Sequence, residues 1–317
     1  MGALALIVAL CAAPGTFGAE KKSKKKSLPM GTRVLWRGHE VEKLDVLAGP
    51  GGKSMRPDLR RVRVLKEETG GFSPKYRVRD ASGRVWVAKL GSEAQSETAA
   101  TRLVWAAGYM TEVNYLVPCV RLPGVTKVKK EVERCANGGF ANVRFEARPS
   151  GVKRLDPWKW KENPFRGRLQ LQGLKVLMAL LNNWDMKDEN NVILHVPSRG
   201  ELRYAISDLG ATFGKSGGPG FFWRITRSRN EPEDYADTKF IDRVKDGYVD
   251  FDFTGKNERL FEKIKVEHAR WIGERLARLT DGQLATIFRA ANYTPAETRL
   301  LTRVVRARVE ELATLTR

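Results

Sequence analysis

From residue 61 to residue 90 the chain alternates apolar and polar positions in short runs. Residues 61–67 (RVRVLKE), 75–79 (KYRVR) and 84–90 (RVWVAKL) are rich in Val and aromatic side chains, and a period near two is what a strand with one buried face requires. Thr69-Gly70-Gly71 divides the first two runs and Asp80-Ala81-Ser82-Gly83 the last two, so three consecutive antiparallel strands are expected. Residues 92–107 read as a helix, with Ser92 as N-cap, Glu93 in the first turn and Gly108 as the stop. Further strands are expected over 115–122 and 141–147, across a Lys-rich loop. Residues 169–184, containing LKVLMALL, form a helix apolar enough to be buried, and 191–195 and 203–207 two short strands. A Gly-rich segment spans 210–220, and the tail is helical in three pieces, 258–279, 281–292 and 295–315. Strands fill the first half and helices the second, which predicts an α+β chain with a sheet lobe, a helical lobe and a ligand cleft between them.

The apolar stretch 3–13 lies within nineteen residues that carry no charged side chain, and Pro14-Gly15 breaks it. This is the pattern of a secretory signal peptide over 1–19, with export to the periplasm or beyond; an uncleaved membrane anchor is the alternative. Residues 20–60 then form a basic tail and turn-rich lead-in, 61–150 a sheet lobe with one helix, and 151–317 a helical lobe. The 57 Lys and Arg exceed the 37 Asp and Glu, a formal charge of +20, which admits nucleic acid, an anionic surface or a phosphate-rich substrate as partner. No RNP-like strand or Cys/His finger accompanies the charge, so nucleic acid is disfavoured, while the run Lys21, Lys22, Lys24, Lys25, Lys26 is a solvated tail able to touch an anionic surface. His39, His195 and His268 stand far apart without HExxH or CxxC, which argues against a zinc site or a Cys/His nucleophile. Cys119 and Cys135 are either a disulfide or two free thiols. Trp158, Trp160, Phe221, Phe222 and Trp223 read as packing rather than as a substrate platform.

The chemistry concentrates in Asp185-Met186-Lys187-Asp188-Glu189-Asn190-Asn191, between the buried helix and a strand, and in Ser207-Asp208-Leu209-Gly210, where an acid leaves a strand at a glycine. Phosphoryl transfer needs such a set: a carboxylate to orient the attacking hydroxyl, an amide and a second carboxylate for metal, and a cation for developing charge. DMKDEN resembles the catalytic loop of protein kinases, SDLG their DFG element, and Val85-Trp86-Val87-Ala88-Lys89 their VAIK strand. The loop 69–75 stands where kinases place the glycine-rich loop, although it lacks the full GxGxxG. Glu97 follows Lys89 more closely than in mainstream kinases, and Asn183-Trp184 replace His-Arg. The chain therefore resembles atypical kinases of the HipA-like, phosphoinositide-kinase-like or secretory-pathway kinds, and a group of bacterial exported proteins sharing WxxKLG, NNWDxKxxNN and DLGA.

That resemblance implies a two-lobed kinase fold, ATP with Mg2+ or Mn2+ as cofactors, and a protein or small-molecule hydroxyl as acceptor. It gives Lys89 the phosphate contact, Glu97 the ion pair to Lys89 with Glu93 as rival, Asp185 the acceptor hydroxyl and Lys187 the transferred phosphoryl group. Asp208 becomes the metal chelator together with Asn190 or Asn191, with Gly210 making a sharp turn, and Gly70, Gly71 and Lys75 line the phosphate loop. The competing readings are a kinase-fold scaffold of the cell envelope without turnover and a basic polyanion-binding module.

Overall fold

The computed structural model describes residues 27–128, 130–218 and 223–316; the apolar start, the lysine run, Phe221 and Phe222 lie outside them. Residues 31–317 pack as one compact unit. Strand β1 is Thr32–Val34, followed by β2 (Arg63–Glu68), β3 (Lys75–Arg79), β4 (Val85–Lys89), helix α1 (Glu93–Ala106), β5 (Asn114–Val120) and β6 (Phe140–Ala147). The last five strands form one antiparallel sheet in the order β2-β3-β4-β6-β5. Asp80 closes its central hairpin: the carboxylate accepts the amides of Asp58 and Arg84, the Ser82 hydroxyl and the Trp86 indole N–H. Trp86 and Ala88 turn into a core with Val78, Leu90, Phe140 and Phe145, so the pleat sends Val87 and Lys89 to the other face.

The second half contains β7 (Lys153–Arg154), α2 (Leu169–Leu180), β8 (Asn191–Val196), β9 (Glu201–Ile206), the short α3 (Trp223–Thr226) and α4 (Pro232–Ala236), and β10 (Ile241–Lys245), β11 (Tyr248–Phe251) and β12 (Ile264–Lys265). Helices α5 (Val266–Ala277), α6 (Asp281–Ala290) and α7 (Pro295–Ala313) complete it. Thr280 and Thr294 open α6 and α7 with capping boxes, paired with Gln283 and Glu297. The main core joins α2, α5, α6 and α7, and Ala99, Ala100, Leu103 and Val104 of α1 belong to it. Helix α1 thus lies in sequence between β4 and β5 of the sheet, yet packs into the core that α2, α5, α6 and α7 share. Trp158 and Trp160 are buried with ring centroids 4.8 Å apart, as packing residues should be.

Several elements depart from the expected pattern. Residues 258–279 are not one helix: Phe261 packs on Phe251 and Phe253, Lys263 adopts φ 59°, and Ile264–Lys265 pairs with β11 before α5 begins. Aromatic burial there outweighs helical continuation. Helix α2 stops at Leu180 because Asn182 turns left-handed (φ 50°) and gives its amide to the Gly214 carbonyl and the Thr238 hydroxyl. The lead-in contributes β1, which runs parallel to β9 in the sheet β1-β9-β8-β7, and places Leu35, Val41 and Val46 in the core. Cys119 and Cys135 are joined as a disulfide. Among the described residues no helix is long and apolar enough to cross a membrane.

Candidate active site

Strand β4 ends at Lys89 and α1 begins four residues later, so Glu93 and Glu97, one helical turn apart, face the same ammonium. Lys89 Nζ lies 2.9 Å from Glu93 Oε2 and 2.9 Å from Glu97 Oε2, and 3.6 Å from Asp208 Oδ1. Burial works against the Lys89 charge, but Glu97, Asp208 and Glu93 outweigh it and hold the pKa well above the usual lysine range. Glu97 is itself pushed up to about 7 by burial, against the pull of Arg144 and Lys89. Arg144 Nε sits 3.0 Å from Glu97 Oε2, and its other arm 2.6 Å from Glu146. Glu93 and Glu97 are not rivals: both hold Lys89.

The β8–β9 hairpin assembles the rest. Its register pairs Asn191 with Ile206, which puts the residue before β8 beside those after β9. The Asn190 carbonyl accepts the amides of Ser207 (2.9 Å) and Asp208 (3.1 Å), tying the DMKDEN loop to the acidic turn. The Asn190 side-chain amide donates to the Asp185 carbonyl at 2.6 Å and to Asp185 Oδ2 at 3.2 Å, while Lys187 Nζ lies 2.8 Å from Asp185 Oδ1. The two candidate amides separate here. Asn190 joins Asp185, whereas Asn191 is buried and spends its N–H on the Trp158 carbonyl.

Asp208 accepts the Gly210 amide at 3.1 Å. Burial opposes its charge, but Lys89, that amide and Arg144 together pull the pKa down to about 2. Gly210, expected to allow a sharp turn, does not adopt a positive φ. A Cβ there would stand 2.8 Å from the Glu93 Cβ, so the glycine is needed for the close approach of α1. Gly70 (φ 95°) and Gly71 (φ 77°) do require glycine's left-handed freedom. Lys75 pairs in register with Lys89, and its charge reaches Asp208.

Several participants carry no mark in the sequence. Ser73 donates its hydroxyl to Glu93 Oε2 at 2.7 Å, pinning the glycine loop to α1. Arg229 pairs with Glu93 Oε1, and its guanidinium covers the rings of Phe72 (4.4 Å) and Trp184 (4.6 Å). Lys256 and Asn257 prop the DMKDEN loop from outside, donating to the carbonyls of Trp184 (2.9 Å) and Met186 (2.7 Å).

Among the described residues no three His, Cys, Asp or Glu side chains converge as a metal cage. A magnesium-like ion bound through phosphate oxygens needs only one or two protein oxygens. Asp208, ionised and with 44% of its side chain exposed, and the Oδ1 of Asn190 fit that demand.

No family model and no curated protein matches the sequence. Among solved structures the chain is similar to the Helicobacter pylori proinflammatory kinase CtkA (11% identity, 81% of this chain and 93% of that one, TM-score 0.44). It is also similar to a Golgi casein kinase with Mn/ADP bound (10%, 81% and 73%, TM-score 0.42) and to hydra Fam20 with sugar (12%, 82% and 86%, TM-score 0.40). All three TM-scores lie below 0.5. In this chain the five-stranded antiparallel sheet, the helix carrying the lysine's carboxylate partners, and the hairpin between the DMKDEN loop and the acidic turn follow one another in the order that the kinase resemblance of the sequence implies.

Proposed function

We propose that the chain is an ATP- and metal-dependent phosphotransferase acting on a hydroxyl. The observation that carries this reading is the convergence on one point of Lys89, Asp208 and the Asp185–Asn190 loop, joined through the Asn190 carbonyl. Lys89 binds the nucleotide phosphates, with Glu93 and Glu97 fixing its rotamer. Asp208 and Asn190 hold Mg2+ or Mn2+, which neutralises charge on the phosphate oxygens. Asp185 orients the acceptor hydroxyl and takes its proton as the oxygen bonds to the γ-phosphorus and the bond to the β–γ bridging oxygen breaks, releasing ADP. Lys187, which neutralises Asp185 in the free protein, turns to the transferred phosphoryl group.

We also propose that the protein is exported to an oxidising compartment, a reading that the Cys119–Cys135 disulfide supports. The test is nucleotide binding by the full chain with and without Mg2+ or Mn2+. Metal-dependent ATP binding that is lost in Asp208→Ala supports the proposal; equal binding by both proteins refutes the chelator. Nucleotide-independent polyanion binding with a steep salt dependence would move the chain to the polyanion-binding class.

A further inference from the structure

Helix α1 carries an arginine, Arg102, with no ionic partner among the described residues. Arg102 is 1% exposed, and a fully buried guanidinium ordinarily faces a carboxylate. Among the described residues none lies within ion-pair distance of it, and only Tyr115 and Arg56 contribute to its electrostatic surroundings. Its Nε donates to the Val46 carbonyl and its Nη1 to the Thr98 carbonyl, both at 3.2 Å, so two neutral acceptors serve a group with five N–H donors. Burial lowers its pKa to about 10, with Arg56 acting in the same direction against Tyr115.

Arg102 and Arg56 both line a cavity of about 260 Å³ between the 47–59 loops and β5, and no Asp or Glu lines it. The Tyr115 hydroxyl is already committed to the Gly52 carbonyl at 2.6 Å. The walls are otherwise apolar: Leu47, Pro57, Leu59 and Val117 take part, and Leu47 and Leu59 are 46% and 40% exposed.

We propose that this cavity binds a small amphipathic carboxylate, its head on the Arg102 and Arg56 guanidiniums and its apolar body along Leu47, Leu59 and Val117. A planar carboxylate matches the guanidinium fork. A free phosphate dianion would meet the same cations but lose hydration against apolar walls. The site lies on the helix that carries Glu93 and Glu97, so its occupant would brace the segment holding Lys89.

The test is calorimetric titration of the nucleotide-free full chain with octanoate, octanol and inorganic phosphate. It needs no ATP, so its outcome is separate from that of the phosphotransferase reading. Expected is saturable binding of octanoate, at least about tenfold weaker binding of octanol and of phosphate, and at least about tenfold loss of octanoate affinity in Arg102→Met. Replacement of an unpaired buried cation by an apolar chain should leave the melting temperature level or raised. Should Arg102→Met fail to fold, Arg56→Met and Leu59→Glu at the exposed rim carry the test, each expected to weaken octanoate. Absence of saturable octanoate binding, unchanged affinity in these variants, or phosphate binding as tight as octanoate each overturns the proposal.

Discussion

Lys89 Nζ stands 3.6 Å from Asp208 Oδ1 across the cleft while Glu93 and Glu97 each hold it at 2.9 Å. The ammonium is therefore fixed from the helix side and directed at the acidic turn, before any ligand arrives. Such preorganisation places a cation where, in the proposed reaction, phosphate charge would be met.

The two helix carboxylates do different work. Glu97 touches Lys89 and Arg144, whereas Glu93 touches Lys89, Ser73 and Arg229. Glu97→Gln should lower kcat by about ten- to a hundredfold with a smaller change in KM for ATP, because it loosens Lys89 and Arg144 but leaves the glycine loop tied to α1. Glu93→Gln should also raise KM, because it frees the glycine loop. Steady-state kinetics with varied ATP separates the two; identical effects would refute the division.

Glu97 also gives a pH signature. Its folded pKa of about 7 lies above the ordinary glutamate value of 4.5, so between those values the folded protein holds a proton that the unfolded chain has released. Its contribution to stability is then fully present below about 4.5 and is lost as pH rises through about 7. The melting-temperature difference, wild type minus Glu97→Gln, should decrease from pH 4.5 to 7.5. An increase would mean that Lys89 and Arg144 dominate over burial.

Gly210 tests the packing of α1 on the acidic turn. A methyl group there would come within 2.8 Å of the Glu93 side chain, and the Ser96 hydroxyl bonds the Gly210 carbonyl at 3.0 Å. Gly210→Ala should cost about 1–3 kcal/mol and displace Glu93 from Lys89. Thermal unfolding together with nucleotide binding measures both; an unperturbed variant would show that α1 yields without consequence.

Much of this site was legible because its parts are local. Residues 75–79 read as a strand by alternation and form β3, and DMKDEN and SDLG stand next to the hairpin that joins them. The illegible parts come from distance and from charge. Arg229, Lys256 and Asn257 reach the site from segments without periodicity, and no local rule places them there. Arg144 and Glu146 are charged residues within the strand expected over 141–147, yet both are 3% exposed, since each is the other's partner in a buried ionic chain. The break before α5 follows from Phe261 meeting Phe251 and Phe253, contacts that helical spacing alone does not reveal.

The central claim is that Asp185 acts on the acceptor while Lys89 acts on the nucleotide. The most direct measurement is ATP affinity and single-turnover phosphoryl transfer, with Mn2+ or Mg2+, for wild type and Asp185→Asn at matched melting temperature. The account predicts nearly unchanged nucleotide affinity and a rate lowered by about a hundredfold or more. A wild type that binds ATP without transferring phosphate to any acceptor, water or itself, and an Asp185→Asn variant indistinguishable from it, would contradict the account and leave a nucleotide-binding scaffold.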